Sequence, residues 1–74
     1  MVKITEVYPN SRAARCGIAE GDVLVSVNGH GICDVLDYRF YLAEEKLTLV
    51  LIRDGEEYTA EIVKGMYDDI GLGF

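Results

Sequence analysis

An α+β fold, a small bent antiparallel sheet or partial barrel capped by one short and one longer helix, is what the sequence predicts. Three stretches carry that prediction. Gly21-Asp22 opens a mostly β-branched run, Val23 to Val27, which closes in Asn28-Gly29, the dipeptide best suited to the positive φ angles of a type I′ turn. Asp34 to about Glu44 has apolar residues at helical spacing. Leu47 to Ile52 is apolar on both strand faces, and Asp54-Gly55 turns it back into an alternating partner, Tyr58 to Val63.

In chain order, Val2 and Ile4 alternate with Lys3 and Thr5, which predicts one half-buried strand from Val2 to Val7. Pro9-Asn10 ends it. Ser11 is a good N-cap for a short helix in which Ala13 and Ala14 allow close packing, and Gly17 before Ile18 reads as a left-handed stop. In the central strand Val23, Val25 and Val27 share one side, which is therefore expected to face the core. Gly31-Ile32 forms a brief bridge before Asp34 caps the longer helix.

At about 100° per residue, the apolar side chains of that helix fall into two groups. Val35, Tyr38 and Leu42 make one, and Leu36, Phe40 and Ala43 the other, so a broad apolar sector is expected. Arg39 lies between them. With 13 acidic residues in the chain, a structural salt bridge is the expected use of this cation rather than a ligand contact. Leu47, Leu49 and Leu51 alternate with Thr48, Val50 and Ile52, the mark of an interior strand, while Tyr58 to Val63 reads as its more exposed hairpin neighbour.

The chain of 74 residues makes one domain, and a chain near this size buries only about 60% of the surface its unfolded form exposes. Half of its residues are apolar and its net charge is −6, which argues for a globular fold and against nucleic acid as a partner. No run approaches the roughly 20 apolar residues of a membrane-spanning helix, and no signal-peptide pattern opens the chain. A soluble cytoplasmic protein is the expectation. The two cysteines, Cys16 and Cys33, are read as small buried thiols in a reducing compartment, ahead of a mutual disulfide or a redox role. His30, the single histidine, is read as solvated in its turn. No metal ligand set or cofactor motif is present, and no nucleophile stands beside a base in a recognisable motif, so the chain is expected to be non-catalytic.

Val7 to Leu24, followed by Asn28-Gly29, resembles the hallmark of PDZ domains: a Pro-containing loop, a short Ala-containing helix stopped at Gly, then Gly-Asp opening a strand that closes in Asn-Gly. The likeness covers nearly the whole chain. Gly71-Leu72-Gly73-Phe74 spells the loop that in this family receives a ligand's terminal carboxylate. Its place at the end of the sequence resembles the circularly permuted order of bacterial PDZ modules, with the Tyr58 to Val63 strand in the role of the family's first strand. Asp34 to Arg39 and the Gly-Leu-x-Phe ending are most similar to the N-terminal PDZ-like module of bacterial iron-sulfur oxidoreductases of radical-SAM type.

The resemblance implies a protein- or peptide-interaction module. Gly71, Leu72, Gly73 and Phe74 would receive a carboxylate and a terminal side chain, with Val35, Tyr38 and Leu42 as the helix wall, although each apolar residue reads equally as core. Glycine here would aim neighbouring amides together and keep side chains off the carboxylate. The expected partner is an extended peptide, a C-terminal segment, or the rest of the same polypeptide. The expected setting is a docking or regulatory domain of a larger iron-sulfur oxidoreductase-like protein, the alternative an accessory substrate-recognition domain of a bacterial protease. In that setting the groove's other wall lies beyond Phe74. The last residues are then expected to be mobile or to reach a neighbouring molecule's sheet edge as a ligand would, and free C-terminal peptides to bind weakly or not at all.

Overall fold

The computed structural model describes Met1 to Phe74. Its elements run β1 (Val2–Lys3), β2 (Glu6–Val7), α1 (Arg12–Arg15), β3 (Val23–Val27), β4 (His30–Gly31), α2 (Val35–Tyr41), β5 (Lys46–Arg53), β6 (Glu56–Val63) and β7 (Leu72–Gly73). The strands form a five-stranded sheet in the order β1-β3-β5-β6, with β4 also paired to β3, and a two-stranded ribbon of β2 and β7. Every pairing is antiparallel. The expected small antiparallel α+β fold with two helices is present.

The turn chemistry acts where the dipeptides place it. Asn28 and Gly29 have φ of 51° and 81°, and Asp54 and Gly55 have 51° and 80°, so both tight hairpins use a pair of left-handed residues as type I′ turns require. Asn28 also reaches across the sheet: its Oδ1 accepts from the Thr48 amide at 2.8 Å, and its Nδ2 donates to the Lys46 carbonyl at 3.2 Å. Ser11 Oγ accepts from the Ala14 amide at 3.1 Å, Asp34 Oδ1 from the Asp37 amide at 2.9 Å, and Gly17 ends α1 at φ 85°.

β5 is the interior strand, flanked by β3 and β6. Leu47, Leu49 and Leu51 are fully buried, each contributing roughly 1.5–3 kcal/mol of burial. β6 alternates as expected, with Ala60 and Ile62 buried and Glu61 and Val63 exposed.

Five sequence expectations are corrected by tertiary packing. The stretch Val2 to Val7 is two strands, because the chain leaves β3 after Lys3 and joins β7 at Glu6; Ile4, fully buried, sits at the corner. In β3 the core residues are Leu24 and Val27, since the register skips Val25 between Leu24/Leu51 and Ser26/Val50. That bulge shifts the alternation before it, while Val27 is core as expected. Helix α2 stops at Tyr41 rather than Glu44: Glu44 and Glu45 would set two negative charges at its negative end, and the chain must turn there to enter β5. Leu36 and Phe40 are both 75% exposed, so the apolar sector of α2 is buried on one side only. Cys16 and Cys33 are free and exposed rather than buried. Cys16 Sγ lies 3.6 Å from the Glu61 carbonyl.

A polar cluster locks the sheet to the loop before β3. Asp22 is 2% exposed. Its carboxylate accepts from Arg53 Nε at 2.8 Å, Arg53 Nη2 at 2.7 Å, the Ala19 amide at 3.0 Å, and the Tyr58 hydroxyl. Arg53 Nη2 also donates to the Gly17 carbonyl at 2.6 Å, and its guanidinium lies 5.0 Å from the Tyr58 ring centroid. The Arg53 hydrogen bonds hold the Asp22 carboxyl down at about 2, against the opposing cost of burial. Burial, followed by the Asp22 contact, pushes the Tyr58 hydroxyl up to about 12. Lys64 is buried as well, its Nζ donating to the Gly65 and Met66 carbonyls at 3.0 and 2.9 Å.

Leu49→Ala is expected to destabilise the domain by about 2 to 5 kcal/mol, as a large-to-small change in a packed core does. A urea midpoint equal to the parent's would show that Leu49 carries no core packing. Asp22 yields a pH dependence. Its folded value of about 2 lies below the unfolded value of about 3.9, so its stabilisation is complete above the unfolded value and is lost as pH falls from about 4 toward 2. Asp22→Asn should therefore lower stability at neutral pH and flatten the acid limb of a stability–pH profile. An acid limb as steep as the parent's would exclude this role.

Candidate functional site

The carboxyl-terminal segment is anchored rather than mobile. Ile70 is fully buried, and its carbonyl accepts from the Ala13 amide at 2.9 Å, satisfying one of the donors that the first turn of α1 leaves without a helical partner. The Tyr8 amide donates to the Gly71 carbonyl and the Thr5 amide to the Gly73 carbonyl, each at 2.9 Å. Arg12 and Asp68 add an exposed ion pair at 3.3 Å, of small energetic weight. The expectation of a loose tail fails because the local pattern of Gly65 to Phe74 gives no sign of these long-range partners.

Gly71 has φ of 93°, and a Cβ there would lie 2.2 Å from Ser11 Cβ and 2.6 Å from Ser11 Oγ. The positive φ matches the reason expected for glycine. The missing side chain, however, makes room for the N-cap of α1, and Gly71 is buried outside the cleft lining. Gly73 is close to a second side chain: a Cβ would stand 3.1 Å from Glu6 Cβ.

Between β7, β2 and α2 lies a cleft of about 320 Å³. Leu72, Gly73 and Phe74 line one side, and Val35, Tyr38 and Leu42 the helix side. Six of the seven residues singled out in the sequence thus meet in one cavity. Tyr38 and Leu72 are also core, while Val35, Leu42 and Phe74 are half-buried. The Tyr38 and Phe74 rings pack with centroids 4.8 Å apart, tilted by 59°.

Thr5, Glu6, Tyr8, Arg39 and Asp69 complete the lining and were not identified in the sequence as site residues. For Glu6 and Tyr8 the signal was unreadable, because it depends on β2 pairing with β7. Arg39, expected in a structural salt bridge, has no carboxylate within ion-pair distance and stands exposed at the cleft. Its position between the two apolar groups of α2 was the available clue. Burial raises the Tyr38 hydroxyl above the ordinary tyrosine range; the Asp69 charge adds to that shift and Arg39 opposes it. Nothing in the protein meets that hydroxyl, and an unpaired buried polar group costs about 1–3 kcal/mol. His30 is exposed and stacks on Tyr41, with centroids 4.3 Å apart and rings within 6° of parallel.

A sheet strand and a helix flanking a cleft are the arrangement in which an extended polypeptide segment can be recognised. Residues 3–53 match the family model described as PDZ domain, and the chain belongs to that family. It is similar to the periplasmic serine endoprotease DegP of Escherichia coli (strain K12), 38% identical over an alignment of 63 residues that covers 80% of this chain and 13% of that protein. It is also similar to serine protease HTRA3 of Mus musculus, 34% identical over 56 residues, 76% of this chain and 12% of that protein. HTRA3 of Homo sapiens has the same identity over the same length. The chain thus spans about an eighth of these relatives. They are serine proteases and not iron-sulfur oxidoreductases.

No helix is long and apolar enough to cross a membrane. A PDZ domain is an interaction module, and the chain taken alone is non-catalytic.

Gly71→Ala is expected to destabilise the domain by about 2 to 5 kcal/mol, combining a strained positive φ with overpacking against Ser11. Gly71→Ala with Ser11→Gly should recover part of the loss. A thermal midpoint for Gly71→Ala within a degree of the parent's would refute the close approach.

Proposed function

We propose that this PDZ domain binds extended peptides in the β7–α2 cleft and serves as an accessory recognition domain of a larger protease. The observation that supports the protease setting is the similarity to DegP and HTRA3, both named as serine proteases. The site reading is supported by Leu72, Gly73 and Phe74 facing Val35, Tyr38 and Leu42 across one cavity.

The permuted strand order belongs to the same proposal. Its support is that the family match ends at residue 53, while β6 and the Gly-Leu-Gly-Phe segment follow, with β7 paired back to β2. The iron-sulfur setting rests on the resemblance of Asp34 to Arg39 and of the chain's ending, and the relatives named above lend it no support. A reducing, cytoplasmic location is also proposed. The free, exposed state of Cys16 and Cys33 favours it.

Affinity should be weak. Glu6 and Asp69 stand at a cleft that has Arg39 as its cation, and the chain carries a net charge of −6, so a ligand carboxylate meets repulsion. Titrating C-terminal peptides while following backbone amide shifts should give saturable changes at Leu72, Gly73 and the Val35 to Leu42 face. Dissociation constants of roughly 0.1 to 1 mM are expected, a few kcal/mol of binding. Shifts scattered over the surface without saturation would reject the cleft as a peptide site.

A further inference from the structure

Tyr38 is 3% exposed, and no protein group meets its hydroxyl. For packing alone this is a poor choice, since phenylalanine would fill the same volume without stranding a polar atom. The side chain also lines the cleft, together with Glu6, Arg39 and Asp69, and none of those three charges forms an ion pair. Asp69 Oδ1 accepts from the Ile70 amide at 2.9 Å, which leaves its other oxygen free, and an unpaired hydroxyl in a cleft whose charges have no ionic partner marks a site suited to a polar guest.

We propose that Tyr38 is a specificity-determining residue of the cleft, whose hydroxyl, with Arg39 and Asp69, receives a neutral carboxamide side chain, glutamine or asparagine, from the bound peptide. The inference rests on the peptide-binding reading above. A carboxamide has an oxygen that accepts from a phenol or guanidinium and an NH₂ that donates to a carboxylate, so it can serve all three groups without burying a new charge. A ligand carboxylate would face both Glu6 and Asp69, and an ammonium would leave the Arg39 guanidinium unmatched. An aliphatic side chain would leave the hydroxyl unpaired, the situation in which polar sites discriminate most strongly. Binding requires a local movement, because the hydroxyl is closed to solvent. Phe74, half-buried against the Tyr38 ring, is the side chain placed to make it.

The test uses the isotope-labelled chain and peptides that differ at a single position, carrying glutamine, its near-isostere methionine, or glutamate at each of the last three positions in turn. At one position glutamine should bind roughly fivefold to tenfold more tightly than methionine, the factor one hydrogen bond supplies, with glutamate weakest. Tyr38→Phe should abolish that preference while its thermal midpoint stays level or rises. The Tyr38 Cζ resonance of the unaltered chain should move with the glutamine peptide and not with methionine, a readout that holds even if the variant fails to fold. Equal affinities for glutamine and methionine, or a preference that survives in Tyr38→Phe, would overturn the proposal while leaving peptide binding intact. Absence of saturable binding by every peptide would overturn the cleft reading itself, and this inference with it.

Discussion

The ion pair of Asp22 and Arg53 is the constraint on which the rest of the domain depends. Asp22 precedes β3 and Arg53 ends β5, and the antiparallel register Val23↔Ile52 brings the two side by side. Once there, one carboxylate gathers a guanidinium, a tyrosine hydroxyl and the Ala19 amide, while Arg53 reaches on to the Gly17 carbonyl. A buried carboxylate is costly unless its lone pairs are satisfied, and four donors from three parts of the chain satisfy it. The cluster thereby links the exit of α1, the start of β3, the end of β5 and the middle of β6. Such a network specifies register, because a one-residue slip would leave Asp22 buried and unpaired.

A second constraint builds the cleft. The chain has too few residues for a large core, and its last segment pairs back onto β2 to complete the structure. Ile70 and Leu72 enter the hydrophobic core with Ile4 and Ala13, and the ribbon of β2 and β7 forms because the chain turns a corner at Ile4 and Thr5. Gly71 allows the backbone to press against Ser11, and the same approach aligns Leu72 and Gly73 beside α2. The cleft is a product of that packing.

The cleft is more polar than its apolar sequence signature implies. Leu72, Phe74, Val35 and Leu42 give it apolar walls, yet Glu6, Arg39 and Asp69 are also in its lining, and the Tyr38 hydroxyl lies unpaired and closed to solvent behind it. Tyr38 therefore joins two roles, since its ring belongs to the core and its polar atom gains nothing from that position. Buried polar atoms without partners are uncommon in folded proteins, and a recognition surface is where such a cost is offset.

Local chemistry was enough to read the turns at Asn28-Gly29 and Asp54-Gly55, the caps at Ser11 and Asp34, the stop at Gly17 and the interior strand β5. Each depends on neighbours close in sequence or on a simple alternation. The motifs from Val7 to Gly29 likewise pointed to the PDZ family, and Gly71 to Phe74 with one face of α2 pointed to most of the cleft's apolar lining. Tertiary structure decided the rest. The bulge at Val25 brought Leu24 into the core together with the expected Val27 and left Val23 and Val25 half-buried, and the corner at Ile4 split one expected strand between two sheets. The exposure of Leu36, Phe40, Cys16 and Cys33 reflects the limited area that so small a body has for covering apolar groups. Pairing of Asp22 with Arg53, docking of Ile70 beneath α1, and the arrival of Glu6 and Asp69 beside Tyr38 all join residues far apart in the chain. Periodicity and propensity describe a segment's own faces, and cannot say which distant segment will meet them.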